Sequence, residues 1–292
     1  MGPGKPVAYQ GEPGANSEDA VLISFGETAT LPSRTLADAF AAVESGTARA
    51  AVVPVENSLA GSIYETYDLM RASDLVIRGE VLLPVNHCLV ALPGQSLREI
   101  SRVYSHPQAL AQCDSFLREH GFEPVAAGDT AGSARMLRDR GLRGAAAVSS
   151  RRAAGLYGLD VLAENIQTQR ENATRFFVVA REAAPRGERN KTAVVFSTPN
   201  RPGALYRCLG TLACRSINLT KLESRPSRER PWEYVFHAEF DGHVNDRDVT
   251  LALQDLATKA STVKLLGSFP AGAEASAKIS ADQERNPERS RE

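Results

Sequence analysis

The stretch RVYSHPQALAQCDSFLREHGFEPVAAGDTAGSARMLRDRGLRGAAAV, residues 102–148, decides the fold. Its periodicity predicts strands at Arg102–Tyr104, Glu123–Ala127 and Ala145–Val148, and helices at Pro107–His120 and Ala131–Arg140. Strands that alternate with helices of this length form a parallel sheet whose two faces are covered by helices. The stretch therefore predicts an α/β fold.

The same alternation extends on both sides of this stretch. It predicts strands at Val7–Gln10, Ala50–Val55, Val161–Ala163 and Asn172–Arg181, and helices at Glu18–Phe25, Ile63–Met70 and Ser150–Tyr157. Pro84 interrupts the apolar run Val81–Leu92 and removes a ladder donor, so we predict two strands or a crossover there. Because the alternation restarts near residue 89, two α/β lobes with a ligand cleft between them are expected.

Two helix starts carry capping signals. Asn16 or Ser17 is expected to cap the first helix, and Thr35 with Asp38 is expected to form a capping box.

The pattern changes after residues 183–190, a polar segment with Pro185 and Gly187 that we interpret as a linker. Beyond it lie predicted strands at Thr192–Ser197, Ile217–Leu222, Trp232–Phe240 and Val263–Leu266, and helices opened by Pro202-Gly203 and by Asn245. This βαββαβ order predicts a ferredoxin-like domain over residues 191–270. Residues 271–292, rich in Ala, Ser, Glu and Arg, are expected to be a disordered tail.

Charge and cysteine content narrow the function classes. The 292 residues include 34 Lys and Arg against 35 Asp and Glu, which argues against a nucleic-acid or membrane partner. The four cysteines form no CxxC pair and have no histidine at ligand spacing, so we expect reduced thiols and no metal. Met1–Pro6 shows no signal pattern and no apolar run approaches the roughly 20 residues of a membrane span, so a cytoplasmic protein is expected.

Four polar clusters follow predicted strands, where open α/β sheets bind ligands. They are Gly11–Ser17, Glu56–Ser62, Tyr104–Leu110 and Glu171–Phe176. The glycine cluster precedes a helix and can bind an anion, but its spacing matches neither the dinucleotide fingerprint nor the P-loop, and a plain capped turn is the alternative. The cluster at Glu56 can position an acidic substrate or form an ordinary turn.

The other two clusters combine polar groups with an apolar strand. No Gly-x-Ser-x-Gly elbow presents Ser105 as a nucleophile, and His106 can simply be a helix cap. Arg175 suits a carboxylate through its planar fork, although a surface arginine is the alternative. Since neighbouring strand residues point to opposite faces, Thr174 and Arg175 can share a site only where the strand begins irregularly.

Together the clusters resemble the prephenate dehydratase family over about residues 5–270. The most specific block is Asn172-Ala-Thr-Arg-Phe176, supported in order by Pro54–Ser62, Ser105–Leu110 and Asp129–Gly132. The C-terminal part resembles the ACT domain of that family through Asn200–Leu205, Ile217–Leu219, Glu223–Pro226 and Pro231–Tyr234. Bifunctional members begin with a chorismate mutase segment, and because the α/β pattern here begins at Val7, that activity is expected to be absent.

The resemblance implies a carbon–oxygen lyase whose two-lobed catalytic domain, residues 5–182, is similar to periplasmic binding proteins. It would convert prephenate to phenylpyruvate, water and carbon dioxide in phenylalanine biosynthesis, and needs no cofactor because the ring becomes aromatic. Thr174 would assist hydroxyl departure, and Arg175 would anchor a carboxylate. The other implied substrate contacts are Asn16, Glu56, Asn57, Ser58, Ser105, His106, Gln108, Thr130 and Phe176.

The ACT resemblance implies feedback inhibition by L-phenylalanine and self-association as a dimer or tetramer. The implied effector contacts are Gly203, Ala204, Leu205, Asn218, Leu219, Glu223, Ser224 and Arg225. Three alternatives stay open: an arogenate dehydratase, a two-lobed amino-acid sensor without catalysis, and an enzyme activated by another amino acid at the ACT site. The block at Asn172–Phe176 favours an enzyme over the sensor.

Overall fold

The computed structural model describes residues 4–169, 171–226 and 234–272. The motif residues 231–233, the start of the strand predicted at Trp232, and nearly all of the predicted tail, residues 273–292, lie outside the described residues. The described chain falls into two compact units. The first contains residues up to Ile63 together with Val81–Phe176, and the second contains Tyr64–Glu80 together with the residues after Phe176.

The elements alternate as the periodicity predicts. Up to residue 180 they are β1 (Val7–Gln10), α1 (Asn16–Phe25), β2 (Thr30–Ser33), α2 (Leu36–Glu44), β3 (Ala50–Asn57), β4 (Gly61–Ser62), α3 (Tyr64–Ala72), β5 (Val76–Pro84), β6 (Cys88–Ala91), β7 (Arg102–Ser105), α4 (Pro107–Gln112), α5 (Asp114–Glu119), β8 (Glu123–Ala126), α6 (Thr130–Arg140), β9 (Ala145–Ser149), α7 (Arg151–Tyr157), β10 (Asp160–Ala163) and β11 (Ala173–Ala180). Then follow β12 (Asn190–Ser197), α8 (Ala204–Ala213), β13 (Leu219–Pro226), β14 (Tyr234–Asp241), α9 (Arg247–Lys259) and β15 (Thr262–Pro270).

Two sheets form the lobes of the first unit, which confirms the α/β prediction. The expectation of parallel sheets is wrong in part, because both sheets are mixed and contain antiparallel pairs. The first sheet has the order β2-β1-β3-β11-β5, with β1 parallel to β2 and β3. The second has the order β10-β6-β9-β7-β8, with β7 parallel to β8 and β9. Strand β6 runs antiparallel to β9 and β10, because the chain enters this lobe through β6 and leaves it through β10.

Alternate residues of the second sheet bury on opposite faces, as expected for a sheet covered on both sides. Leu89 and Val103 pack with Leu117 on one face, while Val90 packs with Leu137 on the other. The apolar run with Pro84 is indeed split between β5 and β6.

Three local predictions had different outcomes. The capping box of α2 is present, with Thr35 and Asp38 exchanging two bonds of 3.0 Å. The predicted cap of α1 is wrong, since the helix begins at Asn16 and its N-cap is Ala15. The single helix predicted over Pro107–His120 is also wrong, because buried Cys113 leaves helical geometry and separates α4 from α5.

The second unit contains the predicted βαββαβ order. Its sheet, β13-β14-β12-β15, is antiparallel throughout. Helices α8 and α9 cover one face, where Phe196, Phe236 and Phe240 form the core with Leu212 and Leu256. The cap predicted for α9 is wrong, because this helix begins at Arg247 after Asp246, one residue beyond Asn245.

No helix among the described residues is long and apolar enough to cross a membrane.

Candidate active site

A cavity of about 430 Å³ lies between the two lobes of the first unit. Side chains from both lobes, and from the segments that cross between them, form its wall. The structure brings several predicted site residues together there: Asn16, Asn57, His106, Gln108, Thr130, Thr174 and Phe176. These residues are up to 160 positions apart in the sequence, so only the folded unit assembles them.

Arg175 and Glu56, two other predicted site residues, are not part of this wall as described. A guanidinium nitrogen of Arg175 lies 3.3 Å from a carboxylate oxygen of Glu56. Thr174 and Arg175 both lie within regular β11 and therefore face opposite sides of the sheet. The irregular strand start that would bring both into one site is absent from the described β11, and Arg175 instead joins β11 to β3.

Ser58 and Ser105 also lie off the described wall and bond to backbone. The Ser105 hydroxyl is fully buried and donates to the Val148 carbonyl at 2.7 Å, which ties β7 to β9. The Ser58 hydroxyl accepts from the Ala173 N–H at 3.0 Å. Both serines therefore hold the strand ends that carry the cavity residues.

A directed set of hydrogen bonds orients the Thr174 hydroxyl. The Asn57 side-chain oxygen accepts the backbone N–H groups of Leu59 and Ala60 at 3.1 and 3.0 Å. The Asn57 Nδ2 group therefore points the other way and donates to Asn172 Oδ1 at 2.8 Å and Thr174 Oγ1 at 3.0 Å. Because this oxygen accepts, the hydroxyl hydrogen of Thr174 is left to bond a ligand in the cavity.

The set continues to a buried histidine. Asn172 Nδ2 donates to Gln112 Oε1 at 3.2 Å, and His87 Nε2 lies 2.8 Å from the same oxygen. Since that oxygen only accepts, His87 must carry its hydrogen on Nε2. Burial lowers the pKa of His87, and the bond to Gln112 opposes this shift in part.

Sequence reasoning missed His87 and Gln112, which both line the cavity. The only available signal for Gln112 was its position four residues after Gln108, which places both on one face of α4. For His87 there was no local signal. Asn172 belonged to the most specific block, but its role as the link between Asn57 and Gln112 depends on the fold.

Helix N-termini also face the cavity. Asn16 and Thr130 are the first residues of α1 and α6, and both line it. Helix N-termini carry partial positive charge and unbonded N–H groups, which suit an anion. Asp129, which caps α6, is the one acidic residue among the described lining residues, and neither lysine nor arginine is among them. An anion would be held here by neutral donors and helix ends.

The glycine loop before α1 contacts the second lobe. Tyr157 donates its hydroxyl to the Pro13 carbonyl at 2.7 Å, and Ser150 donates to the Gly14 carbonyl at 2.8 Å. Gly14 has φ +87°, and a Cβ there would lie 2.9 Å from the Cα of Ala153. The loop therefore works as a close contact between lobes and places Asn16 at the cavity wall.

A second cavity, of about 300 Å³, lies within the second unit at the start of α8. Its lining includes the predicted effector residues Gly203, Ala204 and Leu205. The other predicted effector residues, Asn218, Leu219, Glu223, Ser224 and Arg225, are not among its described lining residues. They lie on or just before edge strand β13, so within one chain this set is divided between two places.

No group of three or more His, Cys, Asp or Glu side chains that could hold a metal ion is found in the described part of the chain.

A family model described as prephenate dehydratase matches residues 7–184. Over 280 residues the chain is 43% identical to a protein of Arabidopsis thaliana named arogenate dehydratase/prephenate dehydratase 1, chloroplastic, covering 90% of this chain and 71% of the relative. The fold is similar to a prephenate dehydratase from Arthrobacter aurescens in complex with L-Phe, at a TM-score of 0.83, 33% identity and coverage of 91% and 90% of the two chains.

The chain is also similar to a solved structure described as GqqA, a novel type of quorum-quenching acylase. The TM-score is 0.85 at 37% identity, with coverage of 91% of this chain and 98% of that one. Since proteins described with different activities share this fold, the reaction must be argued from the cavity residues.

Proposed function

Because the chain belongs to the prephenate dehydratase family, we propose that it converts prephenate to phenylpyruvate, water and carbon dioxide, and that L-phenylalanine inhibits it through the second unit. Family membership makes it a dehydratase, a lyase. The choice of substrate, the residue roles and the assignment of the second unit as an ACT regulatory domain are parts of the proposal.

The direction of the Thr174 hydroxyl carries the catalytic part of the proposal. In the reaction the bond to the ring carboxylate breaks and its electron pair enters the ring, while the ring hydroxyl leaves with its own bonding pair. The departing oxygen needs a hydrogen-bond donor, and Asn57 leaves the Thr174 hydrogen in that role. Threonine is too weak an acid to lose its proton outright, so it stabilises the leaving oxygen while solvent supplies the proton. Positioned donation of this kind contributes roughly 10²–10⁴ in rate.

The cavity wall supports binding of a dianion. Prephenate has two carboxylates, and the starts of α1 and α6 offer N–H groups beside Asn16 and Thr130. Phe176, almost fully buried, supplies an apolar wall for the ring. Arg175 acts in this proposal through Glu56, by holding β11 against β3, and the carboxylate contacts come from the neutral donors of the wall.

One observation favours arogenate as a second candidate substrate. Arogenate carries an ammonium where prephenate carries a keto group, and Asp129 is an acidic lining residue that could attract it. Its carboxylate is already bonded to the Gly132 N–H at 2.5 Å, which offsets part of that attraction. For this reason prephenate remains the proposed substrate.

Kinetics on both substrates test the choice. Phenylpyruvate formation from prephenate and phenylalanine formation from arogenate are measured with the same purified protein. We expect the larger kcat/KM with prephenate, and a larger value with arogenate would reverse the assignment. An Asp129→Asn variant sharpens the result, since it should lower turnover of arogenate more than turnover of prephenate.

The division of the effector residues supports self-association. Gly203–Leu205 line the second cavity, whereas Asn218 and Glu223–Arg225 belong to the edge of the sheet. An edge strand presents unpaired backbone groups that can pair with another strand. A second copy placed side by side along this edge would bring the two sets of residues together, so we propose a dimer or a larger assembly as the phenylalanine-binding form. Sedimentation with and without L-phenylalanine tests this point, and a monomer that binds phenylalanine tightly would contradict it.

A further inference from the structure

His87 is fixed between the two segments that cross from lobe to lobe. It lies between β5 and β6, and its side chain lines the cavity although the residue is only 4% exposed. Its backbone N–H donates to Gln167 Oε1 at 3.0 Å, and its backbone carbonyl accepts the N–H of Ile166 at 3.1 Å. These two bonds fix the main chain at His87, and the 2.8 Å bond from Nε2 to Gln112 orients the imidazole.

The side-chain amides of Asn57, Asn172 and Gln112 form a hydrogen-bonded series that starts at Thr174. The bond from His87 to Gln112 lies at the other end of this series. The near end is held by the N–H groups bonded to Asn57, and the far end by the Nε2–H of His87 on Gln112. We propose that His87 is a positioning residue of the dehydration, keeping Gln112, Asn172 and Asn57 oriented so that Thr174 remains a donor. This inference rests on the role proposed for Thr174.

A side-chain amide has an oxygen on one side and an NH₂ group on the other, and a half-turn of the amide exchanges their positions. A reversed Gln112 would place its NH₂ group against that of Asn172, and a reversed Asn57 would turn its oxygen to Thr174 and draw away the hydroxyl hydrogen. A buried polar group that loses its hydrogen bond destabilises the folded arrangement, so these bonds oppose reversal of the amides. Removing the His87 donor lowers the cost of reversal at one end of the chain, while Asn57 is still held at the other.

The test compares His87→Phe, which keeps a ring without N–H, with His87→Gln, which restores a donor. For His87→Phe we expect kcat to fall about ten-fold with KM within about two-fold, as one weakened bond implies, and His87→Gln should recover most of the loss. In a Thr174→Ala background His87→Phe should cost nothing further, because it acts through that hydroxyl. Unchanged kcat in His87→Phe, or an equal loss in the Thr174→Ala background, would overturn the inference. Absence of prephenate turnover by the unaltered protein would instead refute the proposed function.

A second inference concerns α3, which packs on the face of the second unit's sheet opposite α8 and α9. Tyr67 of α3 lies against His237 of β14, with 4.9 Å between ring centroids. The Arg225 guanidinium lies 3.9 Å from the ring centre of Tyr64, at the start of the helix. Lys264 of β15 donates to the carbonyls of the last turn. Three strands therefore hold α3 along its length.

The segment directly before α3 belongs to the active-site cavity. Gly61, Ser62 and Ile63 line that cavity, and Gly61 pairs with Asn57, the residue that orients Thr174. Tyr64, the first residue of α3, follows within three residues of Gly61, a tether of at most roughly 10 Å. A shift of the helix would therefore act on the Asn57 turn.

We infer that α3 transmits the phenylalanine-bound state of the second unit to the active site. This inference rests on the proposed inhibition by phenylalanine. Inhibition requires that phenylalanine bind one state better than another, and the attachment of α3 to the sheet is the element that would differ between states.

Lys264→Met removes the attachment at the end of α3 and touches neither proposed site. Lys259→Met, in the last turn of α9, is the matched control. We expect Lys264→Met to bind phenylalanine within about two-fold of the unaltered protein but to lose at least about five-fold of its inhibition, in the range of typical allosteric coupling. The control should be inhibited normally. Tyr64→Leu repeats the test at the other end of the helix, and phenylalanine affinity is measured for it as well because Tyr64 contacts Arg225, a proposed effector residue.

Normal inhibition in both Lys264→Met and Tyr64→Leu would overturn this inference, and so would a loss of inhibition in Lys264→Met that merely follows a loss of phenylalanine affinity. If the unaltered protein turns over prephenate but phenylalanine does not inhibit it, the proposed regulation itself is wrong.

Discussion

The two cavities differ in how much of a site one chain supplies. The cavity between the lobes gathers its polar groups from a single chain and fixes them through hydrogen bonds, as the orientation of Thr174 by Asn57 shows. The cavity at the start of α8 has only part of its predicted set, because the remainder lies on the edge strand β13. The polar groups of the cavity between the lobes are therefore all supplied by one unit, whereas the proposed effector set would be completed only in the proposed assembly with a second copy.

The largest expected effect would break the catalytic side of this comparison. Thr174→Ala removes the donor to the leaving hydroxyl, so kcat should fall by roughly 10²–10⁴ while KM changes only a few-fold. Thr174→Ser keeps a hydroxyl beside Asn57 and is the control, with most activity retained. Steady-state kinetics on prephenate decide the matter, and a near-normal kcat in Thr174→Ala would remove threonine from the mechanism.

A smaller effect is expected on the pH dependence of stability, which should differ between the two units. In the second unit, burial lowers the pKa of His237 to about 4. Below about pH 6.5 the unfolded chain binds a proton at His237 that the folded unit does not bind. This unit is therefore fully stable above that pH and loses stability as the pH falls toward 4. His237→Phe should stabilise this unit at pH 5 by on the order of 2 kcal/mol relative to its effect at pH 7.

In the first unit the pH dependence of stability has the opposite sign. Burial raises the pKa of Asp19 to about 6, so the folded unit holds a proton that the unfolded chain releases, and its stability falls as pH rises from about 4 to 6. Hydrogen exchange resolved by segment at pH 5 and 7, on both His237→Phe and Asp19→Asn, measures the two effects separately. Equal pH responses of the two variants would contradict these assignments.

The next smaller effect concerns the proposed self-association and its link to inhibition by phenylalanine. Leu222 is partly exposed on β13, and Leu222→Glu places a charge on the edge proposed for pairing. We expect dissociation and at least a five-fold rise in the phenylalanine concentration for half-inhibition, at uninhibited turnover within about two-fold. Leu156→Glu on α7, more exposed but in the first unit, is the matched control. Sedimentation and inhibition curves measured on the same variant show whether self-association and inhibition by phenylalanine are lost together.

The smallest effect calibrates the others. Arg118 and Asp114 form an exposed ion pair of 2.8 Å on α5, away from both cavities. Arg118→Ala should change the free energy of unfolding by less than about 0.5 kcal/mol and leave kinetics unaltered. A larger change in denaturant unfolding would mean that exposed contacts contribute more here than assumed.

Much of the fold could be predicted because it depends on the local periodicity of apolar residues and on local capping and proline signals. The βαββαβ order, the split of the run at Pro84 and the capping box at Thr35 all depend on residues within a few positions of one another. The break at Cys113 was missed because it depends on burial, which periodicity does not show.

The site was only partly predictable for the same reason. The motif clusters contained Thr174 and Asn57, but His87 and Gln112 acquire their roles through bonds across 25 and 60 positions. Arg175 shows the reverse, since a residue of suitable chemistry in the right motif faces away from the cavity. Residues 64–80 lie within the segment predicted as catalytic, yet their contacts group them with the second unit.

Phenylpyruvate formation from prephenate by the purified protein, with and without L-phenylalanine, tests the central claim most directly. We expect turnover without any added cofactor and strong suppression by phenylalanine. Absence of turnover by folded protein would contradict the proposed reaction, and turnover that phenylalanine leaves unchanged would contradict the role given to the second unit.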